Sequence, residues 1–417
     1  MATILGIDRI EREGLVLPGR GRVGVLCNGT TVSGRWTPSA EAIAAVSGIE
    51  VDRVFSPQHG FASEKQDNMV ASEDGVHRRL GIPIHSLYGE RREPTDEQFD
   101  GLDALIIDLQ DVGTRVYTFL VTALLSMRVA ARRGVQVIVL DRPNPIGGRM
   151  EGPILEPALS SFVGIVDTPL RHGLTAGEYC LYGAWRMGLI GESAANKIAE
   201  SAGRGSDDGG EWLRIVPLQG WKRNLYYDAT GLPWVTPSPN MPTLDTAIVY
   251  PGQVILEGTN LSEGRGTTRP FELFGAPYLE PEKIASMLAA DHSFEDGGPL
   301  AGIVLREAAF EPTFQKHARC VVRGFQFHVA DRDSYKPIEA TLAILRAVHA
   351  VHRDAFAWRQ PPYEYENDRL PVDLIMGTEE VRTAIDAGRA IPEIASSWAT
   401  GLADYRERVR PLLLYGE

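Results

Sequence analysis

The first half of the chain alternates short apolar runs with segments of helical period, and this alternation constrains the fold more than any other feature. RVGVLC (22–27), VDRVFS (51–56), ALIIDLQ (104–110) and VQVIVLD (135–141) read as strands. PSAEAIAAVSG (38–48) and VYTFLVTALLSMRVAARRG (116–134) read as helices, the second with apolar residues at helical spacing and Gly134 as its stop. TDEQFDG (95–101) carries a helix start signal at Thr95. Strands joined through helices imply a parallel sheet covered on both faces, an α/β fold of Rossmann-like type.

In such a sheet ligands bind beyond the carboxyl ends of the strands. Polar clusters fall there four times. Asn28-Gly29-Thr30 follows the first strand and Gln58-His59-Gly60 the second; Asp108, Gln110, Asp111 and Arg115 follow the third, and Asp141-Arg142-Pro143-Asn144-Pro145 the last. Four loops converging on one edge is a stronger signal than any single motif. No GxGxxG follows the first strand and no GxxxxGK[ST] occurs, so no bound nucleotide is indicated, and no cofactor is expected.

The balance of 42 basic against 55 acidic residues gives a net charge of −13, which argues against nucleic acid as a partner. The amino-terminal residues lack the pattern of a secretory signal, and no run approaches the length of a membrane span. Cys27, Cys180 and Cys320 are scattered, without metal-ligand spacing, and read as buried small hydrophobes in a reducing cytoplasm.

Further along, a helix is expected from Thr175 to Met187, an exposed loop over 201–211 and a strand at LRIVPL (213–218). PWVTPSPNMPT (233–243) has four prolines in eleven residues and reads as a rigid extended connector. It divides the chain into an N-terminal domain, 1–242, and a smaller mixed α/β domain, 243–417, with the site expected in the cleft between them. Strands GIVLRE and CVVRGFQFHV and helices at PIEATLAILRAVHAVH and within 378–411 are expected in the second part.

Several stretches carry candidate chemistry. VYPGQVILEGTNLSEGRGTTRPFE (249–272) gathers Glu257, Asn260, Glu263, Arg265 and Arg269 among three loop glycines. Glycine lets backbone approach a ligand, and arginine's planar fork recognises carboxylates and phosphates. It reads as one wall of a site for a polar, anionic small molecule, or else as a loop held by its own salt bridges. QHGFASEKQDNM (58–69) carries Gln58, His59, Glu64, Gln66, Asp67 and Asn68, enough donors and acceptors to read a sugar. In DLQDVGTRVYT (108–118), a desolvated Asp108 has the raised pKa of an acid catalyst, while Asp111 is either a helix cap or a catalyst. Asp141-Arg142 is a structural turn or a positioning element. In RHGLTAGE (171–178), Thr175 and Glu178 form a capping box, and His172 is a hydrogen-bonded structural residue or a ligand-binding one. No metal site is demanded by spacing.

With these motifs in order, the chain resembles the exo-β-N-acetylmuramidase family, glycoside hydrolase family 171. SPQHG, SLYG, DLQDVGTRVYT, LDRPNPIGG, SFVG, RHGLTAGE, PWVTPSPNMPT and the 249–272 stretch carry the resemblance, which runs from about Gly6 to about Phe356. It implies a Rossmann-like domain, a smaller second domain, a cleft between them, and removal of terminal N-acetylmuramic acid from peptidoglycan fragments. Within the matching motifs it adds Tyr117 and Asn240 to the candidate substrate contacts, and it suggests Arg265, Arg269 or Arg115 for the sugar's lactyl carboxylate. The family's SPEHG motif places a glutamate, the expected catalytic acid, where this chain has Gln58. A neutral amide is no proton donor, a loss worth roughly 10²–10⁴ in rate. Either another carboxyl serves, with Glu64, Asp67 and Asp111 as candidates, or the reaction differs, or the protein binds sugars without cleaving them.

Overall fold

In the computed structural model, residues 2–15, 19–206, 210–291, 298 and 300–417 are described. Among the described residues nine strands precede residue 217: β1 Arg22–Leu26, β2 Glu50–Ser56, β3 Gly75–Val76, β4 Pro83–Ser86, β5 Ala104–Ile107, β6 Gln136–Leu140, β7 Glu151–Ile154, β8 Pro169–Arg171 and β9 Leu213–Val216. Seven form one sheet in the order β3-β4-β2-β1-β5-β6-β9, parallel except where β3 pairs with β4, and β7 pairs with β8 as a separate ribbon. This is the α/β sheet that the alternation predicts.

Strand residues alternate between two cores. Leu105, Ile107, Val137 and Val139 face one core with the helices Phe119–Arg133 and Ala176–Arg186. Val23, Val25, Ile106, Ile138 and Leu140 face the other with Ile7, Ile10, Ala40 and Ile43. The helix Gly6–Glu13, unforeseen in the sequence, brings Ile7 and Ile10 onto that face. Its first residue admits no side chain, since a Cβ on Gly6 would lie 2.6 Å from the Asp141 nitrogen and the Val216 oxygen. Gly134 ends Phe119–Arg133 at φ +67° after two basic residues, which suits the negative end of the helix dipole.

Other expectations shift. TDEQFDG yields only a three-residue 3₁₀ turn, Glu97–Phe99. Helix Glu192–Gly203 runs into the expected 201–211 loop, of which residues 207–209 lie outside those described. Cys27 and Cys180 are buried, but Cys320 is exposed, because it sits at a turn preceding the strand rather than within it.

Residues 233–236 carry no regular structure, and helix Leu244–Gln253 follows the connector. Beyond it β10 Leu273–Ala276, β11 Ile303–Phe310 and β12 Val322–Val329 form an antiparallel sheet in the order β10-β12-β11, against the helices Leu244–Gln253 and Pro281–Ala289, which in turn pack on Pro337–Val351. The last residues return to the first sheet: Tyr415 donates to Asp141, and the Leu414 amide donates to Glu178 at 2.7 Å. No helix among the described residues is long and apolar enough to cross a membrane.

Candidate active site

A narrow cleft forms where five distant stretches meet. Gln58 and His59 enter just after β2, at a turn where His59 has φ +76°. Tyr117 and Thr118 come from the start of the Phe119–Arg133 helix, and Ser238 and Asn240 from the proline-rich connector. Glu257 closes the 3₁₀ turn Val254–Gly258 and Arg265 follows in the next loop. Tyr363 and Glu364 complete the wall. The free volume is about 30 Å³, close to one water molecule, so a sugar ring enters only as lining side chains part.

Glu364 is the residue that sequence reasoning missed. Its side chain is fully buried; the Tyr88 hydroxyl donates to one oxygen at 2.7 Å and the Gln58 amide to the other at 3.3 Å. Burial pushes its carboxyl up to about 7, and neighbouring Glu257 adds to the rise. Its backbone is left-handed, φ +44°, as is that of Tyr365, φ +70°, a conformation that side-chain-bearing residues rarely hold and that clusters at functional sites. The available signal was PPYEYEND (361–368), acids interleaved with aromatics, beyond the stretch that carries the family resemblance.

Glu257 behaves oppositely. Burial pushes its carboxyl up, but the Arg265 guanidinium at 2.6 Å and the Tyr363 hydroxyl at 2.7 Å hold it below its ordinary value. Arg265 gives its Nε and Nη2 to Glu257, and its guanidinium lies 4.9 Å from the centre of the Phe271 ring. Its Nη1 is buried and has no hydrogen-bond partner. Behind it, Glu263 pairs with Lys316 at 2.8 Å. His59 donates from Nδ1 to the Lys65 carbonyl at 2.6 Å, and burial pushes its pKa down to about 4, so the ring is neutral.

Of the residues expected from sequence, Gln58, His59, Asn68, Tyr117, Asn240, Glu257 and Arg265 line the cleft. The other calls do not reach it. Glu64 is exposed, and Asp67 is tied to the Gln315 amide. Asp111 is buried against His172 at 3.0 Å and accepts the Gly113 amide at 2.6 Å, which closes a turn rather than presenting an acid. Asp108 is locked to Arg142 and Ser39 at the sheet edge. Asp141 anchors the following helix through Thr175 and Gly177. Asn28 and Asn144 bind loop backbone, Asn28 to Pro237 and Asn144 to Leu174, and Asn260 binds Ala355. Arg115 is buried against the carbonyls of Thr168 and Ile375, and Arg269 pairs with Glu272. Glu263 lies one layer behind Arg265. Glu178 fills the capping box, as expected. Among the described residues no group of three or more His, Cys, Asp or Glu could hold a metal ion.

The fold and the cleft define an α/β protein with a polar, narrow cleft between an N-terminal sheet and a C-terminal set of loops. The chain belongs to the exo-beta-N-acetylmuramidase NamZ family: the family's N-terminal domain matches residues 23–245 and its C-terminal domain residues 248–415. It is 35% identical over 397 residues to the peptidoglycan beta-N-acetylmuramidase NamZ of Bacillus subtilis (strain 168), covering 94% of this chain and 87% of that one. A DUF1343 family protein (BF0371) from Bacteroides fragilis NCTC 9343 superposes with a TM-score of 0.80 at 28% identity, over 99% of both chains. A second one from that organism, BF0379, shares the fold with a TM-score of 0.71 at 24% identity, over 100% of both.

Proposed function

We propose that this protein is an exo-acting glycoside hydrolase that removes N-acetylmuramic acid, or a closely related β-linked amino sugar, from peptidoglycan fragments, with Glu364 as the proton donor. The observation that carries this reading is a buried, cleft-lining carboxyl with a pKa near 7 and both oxygens held by Tyr88 and Gln58. A general acid works best when its pKa lies near the working pH. Gln58 then serves as an orienting donor, and the acid that the family motif places at that position is supplied from residue 364.

Glu364 protonates the departing glycosidic oxygen as the bond to the anomeric carbon breaks. The substrate's own 2-acetamide oxygen attacks that carbon, as in other acetamido-sugar hydrolases. Water then opens the ring so formed, and the Glu364 carboxylate takes its proton. Glu257, bound on both sides by Arg265 and Tyr363, is a poor nucleophile and acts by fixing Arg265. The free Nη1 of Arg265 donates to the lactyl carboxylate, a charge-assisted bond in a desolvated site. A reducing, cytoplasmic setting belongs to the same reading, since the exposed thiol of Cys320 and the buried thiols of Cys27 and Cys180 are all free.

The test is turnover of a chromogenic β-N-acetylmuramide. The wild type should hydrolyse it and Glu364→Gln should lose about 10²–10⁴ in kcat. Gln58 favours a second reading, a sugar-binding homologue; calorimetric binding of the substrate with no wild-type turnover would establish that one instead.

A further inference from the structure

Each residue that lines the cleft is buried, and the free volume is close to one water molecule. A sugar ring enters only when one wall moves. Most walls are fixed by the fold. Thr118 and Phe119 open a helix that is buried through its first six residues. Arg265 is tied to Glu257, and so is Tyr363. Beside Glu364, the rings of Tyr88, Phe162 and Tyr365 pack on one another with centroids 5.8, 5.4 and 6.2 Å apart. A second hollow, of about 520 Å³, has Phe162 in its wall but shares no lining residue with the cleft, so it offers no way in.

One wall is different. Residues 66–71 belong to a stretch without helix or strand between Ser56 and Gly75. Among the described residues, no backbone group from Gln66 to Ala71 bonds to another backbone group. From Phe61 to Val76 only Asn68 is buried, and Asn68 lines the cleft. Contacts from three other segments hold this one down. Asn240 donates to the Gln66 carbonyl at 2.5 Å, and the Glu364 amide donates to the Met69 sulfur at 3.3 Å. Gln315 donates from Nε2 to the side chains of both Asp67 and Asn68, to the second at 2.8 Å. Asn240 and Glu364 line the cleft themselves, and Gln315 does not. Met69 and Gln315 both hold left-handed backbone, φ +59° and +67°, a conformation that clusters at functional sites.

We propose that residues 66–71 are a lid over the cleft, that Gln315 is its latch, and that closure delivers Asn68 to the sugar. The proposal rests on the reading of the cleft as a sugar site. Asp67 sets the sense of the latch. A carboxylate only accepts, so Gln315 must turn its NH2 group to the lid, and Asn68 must answer with its oxygen. The Asn68 NH2 group then has no partner among the described residues and is left as a donor for a sugar oxygen. Because the latch lies outside the cleft, its release leaves the groups that bind substrate in place. A lid that closes behind the sugar also shuts out water.

The experiment follows cleavage after Lys65 by a lysine-specific protease, relative to cleavage after the other lysines. Lys65 adjoins the lid, and its amide and carbonyl are both bonded to His59, so a cut there reports opening. Gln315→Ala removes two hydrogen bonds, one of them to a carboxylate, and should speed cleavage after Lys65 about tenfold with the other sites unchanged. Gln315→Arg, which keeps a donor for Asp67, should restore most of the protection. No site-restricted increase in Gln315→Ala overturns the latch. Saturating N-acetylmuramic acid should slow cleavage after Lys65 in the wild type, and Asn68→Ala should weaken binding of that sugar about tenfold by calorimetry. Binding that leaves the Lys65 rate unchanged overturns the lid, and equal binding in Asn68→Ala removes Asn68 as its donor. If the sugar does not bind the wild type, the sugar-site reading fails, and the comparison with Gln315→Ala still decides the latch.

Discussion

Asp141 and Glu364 are both fully buried carboxyls that burial pushes up to about 7, and they differ in everything else. Asp141, at the carboxyl end of β6, accepts from the Arg142 and Gly177 amides, from Thr175 and from Tyr415. Every lone pair that faces a donor is used, and Asp141 lines none of the cavities described above. Glu364 accepts from two side chains and faces a cleft that also contains an unpartnered guanidinium nitrogen. A perturbed pKa therefore does not distinguish a scaffold from a site. Satisfaction does: a complete hydrogen-bond shell fixes the chain, whereas an incomplete one beside a cavity leaves capacity for a ligand.

That contrast can be broken most directly by paired variants. Glu364→Gln should reduce kcat about 10²–10⁴-fold while melting within a few degrees of wild type. Asp141→Asn should do the reverse, costing about 1–3 kcal/mol through mismatched donors and lowering the melting temperature with kcat nearly unchanged. If Asp141→Asn abolished turnover in a normally melting protein, the distinction would fail.

Arg265→Lys comes next. Loss of the fork should raise KM about 10–100-fold for a substrate with a lactyl carboxylate, and much less for the corresponding N-acetylglucosaminide. Equal increases for both sugars would remove Arg265 as the anion reader.

The pH dependence separates the two carboxyls more finely. With Glu364 as the proposed proton donor, turnover should be present below about 7 and fall as pH rises through that value. The Tyr88 bond lowers the Glu364 pKa, so Tyr88→Phe should move this alkaline limb upward. Stability has its own sign. Folded Asp141 keeps a proton that the unfolded chain has already released, so its contribution becomes less favourable as pH rises from the ordinary carboxylate range to about 7. Asp141→Asn should flatten the change of melting temperature over that window.

The smallest effect is expected at Glu64. It is exposed, and Glu64→Gln should change kcat/KM less than about twofold. A large loss would return it to the list of candidate acids.

The sheet was legible because its signals are local. A run such as Val137–Leu140 has to be a buried strand wherever it lies, and the capping box at Thr175 and Glu178 forms from four consecutive residues. Half of the site was legible for the same reason: Gln58 and His59 stand at a strand end, where α/β sheets hold ligands. The errors share a cause as well. Asp108, Asp111 and Asp141 stand at equivalent strand ends, but Asp108 and Asp141 are enclosed by Arg142 and Tyr415, and Asp111 is held through one oxygen by His172, its other oxygen buried away from the cleft; those partners come from sequence positions that no local pattern connects to them.

By itself the sequence determined the strand and helix alternation, the family, and the polar loops that follow the strands. Only the tertiary structure put a carboxyl of raised pKa in the cleft, since Glu364 meets Gln58 across 306 positions of chain. A carboxyl acquires its pKa from the water it loses and the donors it gains, and both are set by segments that become neighbours only when the chain has folded.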